Sequence, residues 1–288
     1  MATLRDIRRR ISSVRSTQQI TKAMKMVAAA KLRKAQARLI SARPYAYRLG
    51  QLLSHVAAKE NRSLHPLLAV REPNRICYVV VTADRGLCGS FNANIIRMAK
   101  AEIDAHNSLE KTTLVTVGRK GFEHFSRRGF ELIERYINLF DQLEFKHAVN
   151  ISSLIQNLYQ SKELDRVFVV YNEFKSAAVQ RVIVEQLLPI EPQLPEFDKY
   201  QPVDYLHEPS AGKILDEVCP KNLNIQMWRI LLESYAAEQG ARMVAMDAAT
   251  DNAQEMIYDL TLYYNKVRQS TITKEISEIV GGAEALRA

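Results

Sequence analysis

One segment of the sequence has the composition of a phosphate-binding loop. It runs from Asp84 to Asn92 and joins a β-branched run to a helical pattern, which is where such loops occur. Its glycines, Gly86 and Gly89, are three positions apart, and no Lys-Ser or Lys-Thr pair follows to reach phosphates and magnesium. We therefore predict a tight structural turn or a protein-contact loop here, and no cofactor-binding site.

The other residues that could do chemistry are dispersed. The six histidines show no metal-ligand spacing: His55, His65, His106, His124, His147 and His207. Ser90 lies in no nucleophile-elbow pattern, and the three cysteines are an odd, widely spaced set that predicts reduced thiols. We expect no catalytic residues, no metal and no cofactor, and therefore a chain that is not itself an enzyme.

The positive charge is concentrated in one element. The chain carries +8 overall, but residues 1–48 hold thirteen basic side chains and one acid, Asp6, which gives +12 there and leaves −4 for residues 49–288. Such a segment predicts a specific acidic partner surface, with a solvated helix face as the simpler interpretation. It also leaves open an alternative function, a basic coiled-coil protein that binds nucleic acid.

Both ends of the chain read as long helices. The N-terminal one begins with a capping box at Thr3 and Asp6, and Pro44 is expected to kink it or to begin a second segment. Its apolar stripe includes Ile20 and Val27, with heptad breaks predicted from Val14 to Ile20 and from Val27 to Leu32. The predicted apolar stripe of this helix consists of Leu4, Ile7, Ile11, Val14, Ile20, Met24, Val27, Leu32, Ala35, Leu39, Ala42, Ala46, Leu49, Leu53 and Val56.

The C-terminal helix is predicted over residues 221–280, after the last proline, Pro220. An isolated helix of that length cannot bury an apolar stripe, so we expect antiparallel pairing with the N-terminal helix, one projecting beyond the other. The stripe positions are Met243, Met246, Ala249, Ala253, Ile257, Leu260, Val267, Thr271, Ile276 and Val280.

The middle of the chain alternates short β-branched runs with helical stretches, which predicts a small, mostly parallel α/β sheet of Rossmann-like type. Strands are expected at 76–81, 114–117, 167–171 and 182–184, and helices at about 92–107 (with Asn92 as N-cap), 120–128 and 145–162. A proline-rich linker follows at 189–209. The predicted fold class is thus α/β, with an antiparallel coiled coil of the terminal helices; its parts are a shaft helix (1–60), the α/β domain with linker (61–209) and a second shaft helix (210–288).

Several motifs, in order along the chain, resemble those of the gamma subunit of bacterial F-type ATP synthases. They are Ile20–Ala29, Ala83–Gly89, Arg242–Met246, Ala249–Ala253, Tyr264–Gln269 and Ile272–Ala283. The sequence departs from the family pattern at three positions. Lys25 stands where an acidic or apolar residue is common, Asp247 where a lysine is common, and Phe91 replaces a smaller or aliphatic residue.

The resemblance implies a rotating, non-catalytic shaft inside a hexamer of alpha and beta subunits, joined to epsilon and to the membrane rotor c-ring. It implies that Arg268 and Gln269 meet a beta-subunit loop, and that Met24, Lys25, Arg85 and Cys88 lie near the acidic lever segment of beta. An apolar tip, with Ile276, Ile279, Val280 and Leu286, would turn in a hydrophobic sleeve.

Location follows from what the sequence lacks. No stretch approaches the roughly 18 apolar residues of a membrane span, and the first residues have no apolar signal core. Together with the resemblance, this predicts a peripheral protein on the cytoplasmic side of the cell membrane. Besides nucleic-acid binding, a nucleotide-using α/β enzyme with helical arms is a further alternative, against which the incomplete phosphate loop counts.

Overall fold

The structure, a computed structural model, describes residues 3–59, 65–105, 112–191 and 210–285. The helices are α1 (Leu4–Lys59), α2 (Phe91–Ala105), α3 (Arg119–Phe125), α4 (Phe145–Gln160) and α5 (Ala211–Ala285). The strands are β1 (Ile76–Val81), β2 (Thr112–Val117), β3 (Glu131–Tyr136), β4 (Arg166–Phe174) and β5 (Gln180–Leu188). Short 3-10 turns lie at Ser126–Arg128 and Leu139–Gln142. Most of the predicted linker, 192–209, and Leu286 fall outside the described residues.

The chain divides into two compact units, Ala28–Arg242 and the combination of Met1–Val27 with Met243–Ala288. The larger unit contains the sheet, whose strand order is β3-β2-β1-β4-β5. β1 pairs in parallel with β2 and β4, β2 pairs in parallel with β3, and β4 and β5 are antiparallel. All six residues of β1 are buried, as expected for a central strand covered on both faces. The predicted mostly parallel α/β sheet is confirmed.

Two apolar cores cover the two faces of this sheet. On one face, Tyr78 and Val80 of β1 pack with Ile95 of α2 and Phe125 of α3. On the other face, Val79 packs in the core formed by α4, the second half of α1 and the first part of α5. Alternate residues of one strand therefore face different helices, which follows from the two-residue period of a strand.

Three local predictions need correction. β3 is an additional strand, since no strand was predicted at 131–136. Asn92 lies inside α2 instead of capping it, and its side chain serves the preceding turn. α5 begins at Ala211, before the helix predicted at 221–280, and passes through Pro220. Of the two alternatives predicted at Pro44, the start of a second segment is excluded, because α1 continues through Pro44 as one helix. Ile40 and Asp216, whose carbonyl groups lose their helical N–H partners to these prolines, are exposed residues that water can solvate.

The smaller unit is an antiparallel coiled coil of the first part of α1 and the last part of α5. Arg8 donates to Tyr264 (2.7 Å) and Gln18 to Gln254 (2.8 Å), so ten positions forward along α1 match ten positions backward along α5. The least exposed positions follow alternating steps of three and four residues. On α1 they are Leu4, Ile7, Ile11, Val14, Gln18, Thr21 and Lys25; on α5 they are Met246, Thr250, Ala253, Ile257, Leu260, Tyr264, Val267 and Thr271. The predicted antiparallel pairing is confirmed.

The predicted heptad breaks on α1 are wrong. The repeat continues without interruption because polar residues occupy the seam where the apolar count lost it. Thr21, for example, is buried and shares a 2.8 Å hydrogen bond with Thr250. Ile20 and Val27, which the prediction placed on the stripe, are 59% and 55% exposed. They are therefore available on the outer surface of the coiled coil.

Candidate partner-contact surfaces

The turn after β1 is built by side chains that bind backbone groups. Asp84 Oδ1 accepts hydrogen bonds from the backbone N–H groups of Arg119 (3.0 Å) and Asn138 (2.8 Å). Asn92 Oδ1 accepts from the N–H of Ala83 at 2.9 Å. The polar residues that resembled a phosphate loop thus hold the turn to the neighbouring strand ends. This supports the interpretation of the segment as a structural turn.

The ligand position typical of open α/β sheets is covered by α5. Ligands in such folds bind outside the carboxyl ends of the strands, where the strand order reverses, which here is between β1 and β4. Arg242 of α5 donates to the carbonyl of Gly86 in the turn after β1, at 2.9 Å. Gly240 packs so closely on the segment after β4 that an added Cβ would lie 3.1 Å from the carbonyl oxygen of Ala177. The chain's own helix therefore fills this crevice.

A buried acid and base lie under the same turn. Arg242 Nη2 and Glu238 Oε1 are 2.5 Å apart, and both side chains are nearly inaccessible to solvent. Burial raises the pKa of Glu238 to about 7, although the neighbouring Arg242 guanidinium opposes this shift. Asp84 raises the pKa further, and Lys31 on α1 lowers it. Arg242 thus links α5 to the turn, and the neighbouring Glu238 has a pKa close to neutral pH.

Arg85 and Cys88 lie on this turn with different exposure. Arg85 is exposed, with one weak ion pair to Asp141 at 3.6 Å. Cys88 is buried, and its Sγ accepts a hydrogen bond from the side-chain amide of Asn92 at 3.3 Å. Burial raises the pKa of this thiol. Leu87, at φ 63°, is 64% exposed. Arg85 and Leu87 are therefore exposed side chains of this turn, and Cys88 packs beneath it.

Met24 and Lys25 lie in the coiled coil. Met24 is half-buried, and the Lys25 ammonium forms an ion pair and hydrogen bond with Asp247 of α5. Two of the departures from the family pattern thus face each other and compensate in charge. Because both side chains are close to half-exposed, the pair is worth only about 0–1 kcal/mol.

This pairing leads to a charge-exchange prediction. Lys25→Asp and Asp247→Lys each place two like charges side by side, so each should lower the free energy of unfolding by up to about 1 kcal/mol. The double exchange should recover most of that loss. Urea unfolding of the four proteins measures it, with Lys22→Asp, an exposed position without an ion pair among the described residues, as the control. Simple addition of the two single effects would contradict the pairing.

Arg268, Gln269, Ile276 and Ile279 lie on the last part of α5. In the register set by Arg8 and Tyr264, Leu4 at the start of α1 stands opposite Arg268. Every residue from Ile272 to Val280 is exposed, with Ile276 at 55% and Ile279 at 71%. Within the described ranges, Arg268 makes no hydrogen bond or ion pair. This end of α5 therefore extends past α1 and presents Ile276, Ile279 and the Arg268 guanidinium, which has no partner among the described residues. The predicted burial of Ile276 and Val280 within the chain is wrong.

Sequence reasoning missed the Glu238–Arg242 pair and the polar residues of the coiled-coil seam. A small or polar residue at every third or fourth position on both helices was the available signal for the seam. Nothing local distinguishes Glu238 from a solvated helical glutamate. Within the described parts of the chain, no helix combines the length and apolarity needed to cross a membrane, and no cluster of acids, histidines and cysteines has a metal-binding arrangement.

The sequence is similar to known proteins along nearly its whole length. Residues 3–286 match the sequence profile of the family described as ATP synthase. The ATP synthase gamma chain of Chlorobaculum tepidum is 51% identical over 292 residues, covering all of both chains. That of Pelotomaculum thermopropionicum is 50% identical over 286 residues, covering 99% of this chain and 100% of its own.

Solved structures give the same result. A chain of the central stalk and c-ring structure of the Tetrahymena thermophila mitochondrial ATP synthase matches with a TM-score of 0.62 and 30% identity, over 80% of this chain and 99% of that one. A chain of the Euglena gracilis mitochondrial ATP synthase rotor matches with a TM-score of 0.69 over 93% of this chain and 98% of that one. At 21% identity the second likeness supports the fold alone.

Proposed function

The chain belongs to the gamma-chain family of ATP synthases, and from that premise we propose that it is the central rotor shaft of a proton-driven ATP synthase. In this role it performs no catalysis. It couples transmembrane proton flow to ATP synthesis, or ATP hydrolysis to reverse rotation, at the beta subunits. The observation that carries the proposal is the antiparallel coiled coil in which helix α5 extends past α1 with an apolar surface that no described residue covers.

The proposed partners are the hexamer of alpha and beta subunits, the epsilon subunit and the membrane rotor c-ring. The Tetrahymena relative supports the ring, since it comes from a central stalk with its c-ring. The assembly would be peripheral, on the cytoplasmic side of the cell membrane. We retain the division into shaft helices (1–60 and 210–288) and a central domain (61–209) as part of this proposal. Nucleic-acid binding gains no support from the relatives.

The surface chemistry of the shaft fits rotation. Ile276 and Ile279 would slide in an apolar sleeve, because apolar contacts are non-directional and no fixed hydrogen bonds need to break as the shaft turns. Arg268 and Gln269 would bind a beta-subunit loop at particular angles. Met24 and Lys25 of the coiled coil would each lie near the acidic lever segment of beta. Arg85 and Cys88 of the sheet unit are proposed to lie near the same segment. Each angle would then stabilise a different state of each catalytic subunit, as a population shift requires.

Reconstitution tests the proposal. We expect the purified chain to release no phosphate from ATP, and its addition to purified alpha and beta subunits to give an active complex. Arg268→Ala should weaken assembly or coupled synthesis without destabilising the chain, since Arg268 is exposed and without an intrachain partner within the described ranges. Arg268→Lys should restore part of the loss, because an ammonium lacks the planar fork that binds a carboxylate through two bonds.

Phosphate release by the chain and ATP synthesis in vesicles, normalised to assembled complex, are the measurements. Lys266→Ala is the matched control, an exposed cation on the same stretch of α5. Hydrolysis that follows the isolated chain through purification would overturn the non-catalytic role. Equal synthesis by the Arg268 and Lys266 variants would show that Arg268 is a solvated surface charge.

A further inference from the structure

α2 and α3 lie side by side on one face of the sheet and leave a groove between them. The groove is shallow and open to solvent, has a volume of about 580 Å³ and lies wholly within the larger unit. α2 contributes residues from its first three turns, and α3 and the 3-10 turn that follows it contribute the rest. The described lining residues are Asn92, Ala93, Ile96, Arg97, Lys100, Lys120, Glu123, His124, Arg127 and Arg128.

The groove carries an excess of positive charge. Its lining includes five cationic side chains and one carboxylate, Glu123, which is bound by Lys120 at 2.9 Å. Among the described residues, Arg97 and Arg128 donate only to neutral acceptors, the Asn94 side chain at 2.8 Å and the His124 carbonyl at 2.9 Å. Lys100 and Arg127 make no hydrogen bond or ion pair to the residues that the structure describes. Four cationic side chains of the groove therefore have no ion-pair partner in the described part of the chain.

Crowding these charges affects the groups between them. Burial lowers the pKa of His124, and the nearby Arg128 and Lys100 lower it further, so this imidazole is neutral at neutral pH. The cations Lys120, Arg119 and Arg127 lower the pKa of Glu123. The field in the groove thus favours anions and disfavours added positive charge.

The apolar part of the groove is small. Ala93 and Ile96 lie three residues apart on α2, and Ile96 is half-buried against the core that α2 and α3 form with the sheet. The described lining residues include no tyrosine, tryptophan or phenylalanine on which a nucleic-acid base could stack. A groove that combines two apolar residues with five cationic ones also differs from the projecting basic face that binds a membrane surface.

We propose that this groove is a docking site for an acidic amphipathic helix of a partner protein. The helix would place small apolar side chains against Ala93 and Ile96, and glutamates or aspartates against Lys100 and Arg127 on the two walls. Helices bind grooves in this way through apolar anchors spaced three or four residues apart, with charges fixing the orientation. The proposal is independent of the shaft function, which assigns no partner to α2 or α3.

A binding assay tests the chemistry. The probe is a fluorescein-labelled helical peptide with leucine and alanine on one face and glutamate on the other, followed by anisotropy with the full chain. Lys100→Glu combined with Arg127→Glu should weaken binding about tenfold, and added salt should weaken the wild type. Both positions are exposed, so the fold should be kept, which circular dichroism verifies. Lys175→Glu with Lys213→Glu is the control of equal charge change away from the groove.

Cross-linking in cells identifies the occupant. A photo-reactive phenylalanine analogue at Ala93, which is exposed, should attach to one peptide rich in acidic residues, and the Lys100/Arg127 variant should lose that adduct. The same analogue at Val179, exposed on the loop between β4 and β5, serves as the control. Adducts only with lipid or nucleic acid, no adduct, or equal peptide binding by the groove and control variants would overturn the proposal.

Discussion

Gly118→Ala is expected to lower the free energy of unfolding by about 4 kcal/mol or more, enough to prevent folding of the sheet unit. Gly118 follows β2 with φ 90° and ψ 143°, a backbone conformation that side chains rarely adopt. An added Cβ would lie 2.1 Å from the carbonyl oxygen of Thr82, a backbone atom at the end of β1. That backbone is fixed by the 2.7 Å bond from Thr82 N–H to Val117, so neither strand can move away cheaply.

Two other glycines separate the causes of this effect. Gly129 has φ 74° with open space around its Cβ position, so Gly129→Ala should show only the conformational cost, about 1–2 kcal/mol. Gly86 has neither constraint, and Gly86→Ala should change stability by less than about 0.5 kcal/mol. Soluble yield and urea unfolding measure all three. Similar losses for Gly118 and Gly129 would show that the approach to Thr82 carries no cost.

Removing Arg242 should have the next largest effect. Arg242→Leu leaves Glu238 buried without its cation, which costs about 3–5 kcal/mol when the carboxylate is ionised. Glu238→Gln with Arg242→Leu removes both charges and should recover most of the loss. The residual loss, about 1 kcal/mol, reports the missing hydrogen bond from Arg242 to Gly86.

The cost of losing Arg242 should depend on pH. Burial raises the pKa of Glu238 from 4.5 to about 7, so the folded chain binds this proton more tightly than the unfolded chain does. The stability from that proton is fully present below pH 4.5 and is lost as the pH rises through 7. Without Arg242 the pKa rises further, so Arg242→Leu should cost little at pH 5 and most at pH 8.

Urea unfolding across this pH range is the measurement. Glu238→Gln should flatten the dependence, because it removes the titrating group while Asp84 and Lys31 remain. A loss in Arg242→Leu that is the same at pH 5 and pH 8 would mean that Glu238 does not titrate in this environment.

Much of the fold could be predicted because its signals are local. β1 is an unbroken apolar run, and the capping box at Thr3 and Asp6 is made as expected, with Asp6 N–H donating to the Thr3 hydroxyl at 3.2 Å. β3 lacked such a signal. It is an edge strand with no buried residue and three charged side chains among its six, so its sequence resembles an exposed loop.

The candidate contact residues have no local sequence signal of this kind. Arg85, Arg268 and Ile276 rest on resemblance, and the structure adds that all three are exposed. Their contacts with other subunits stay a prediction, because the partner supplies half of each contact. The inward position of Cys88 was out of reach of sequence reasoning, since it depends on α5 covering the turn from more than a hundred residues away. Pairings between distant helices, such as Lys25 with Asp247, are equally invisible until the register is known.

The uninterrupted seven-residue repeat gives the coiled coil a mechanical polarity. Steps of three and four residues average below the period of a straight α-helix, so the two helices wind around each other with a left-handed twist. Torque of one sense tightens a left-handed rope and presses its strands together, and torque of the other sense loosens it. An elastic element of this kind is stiffer against twisting in one direction than in the other. Clockwise and anticlockwise torques of equal size would therefore twist this pair of helices by different angles.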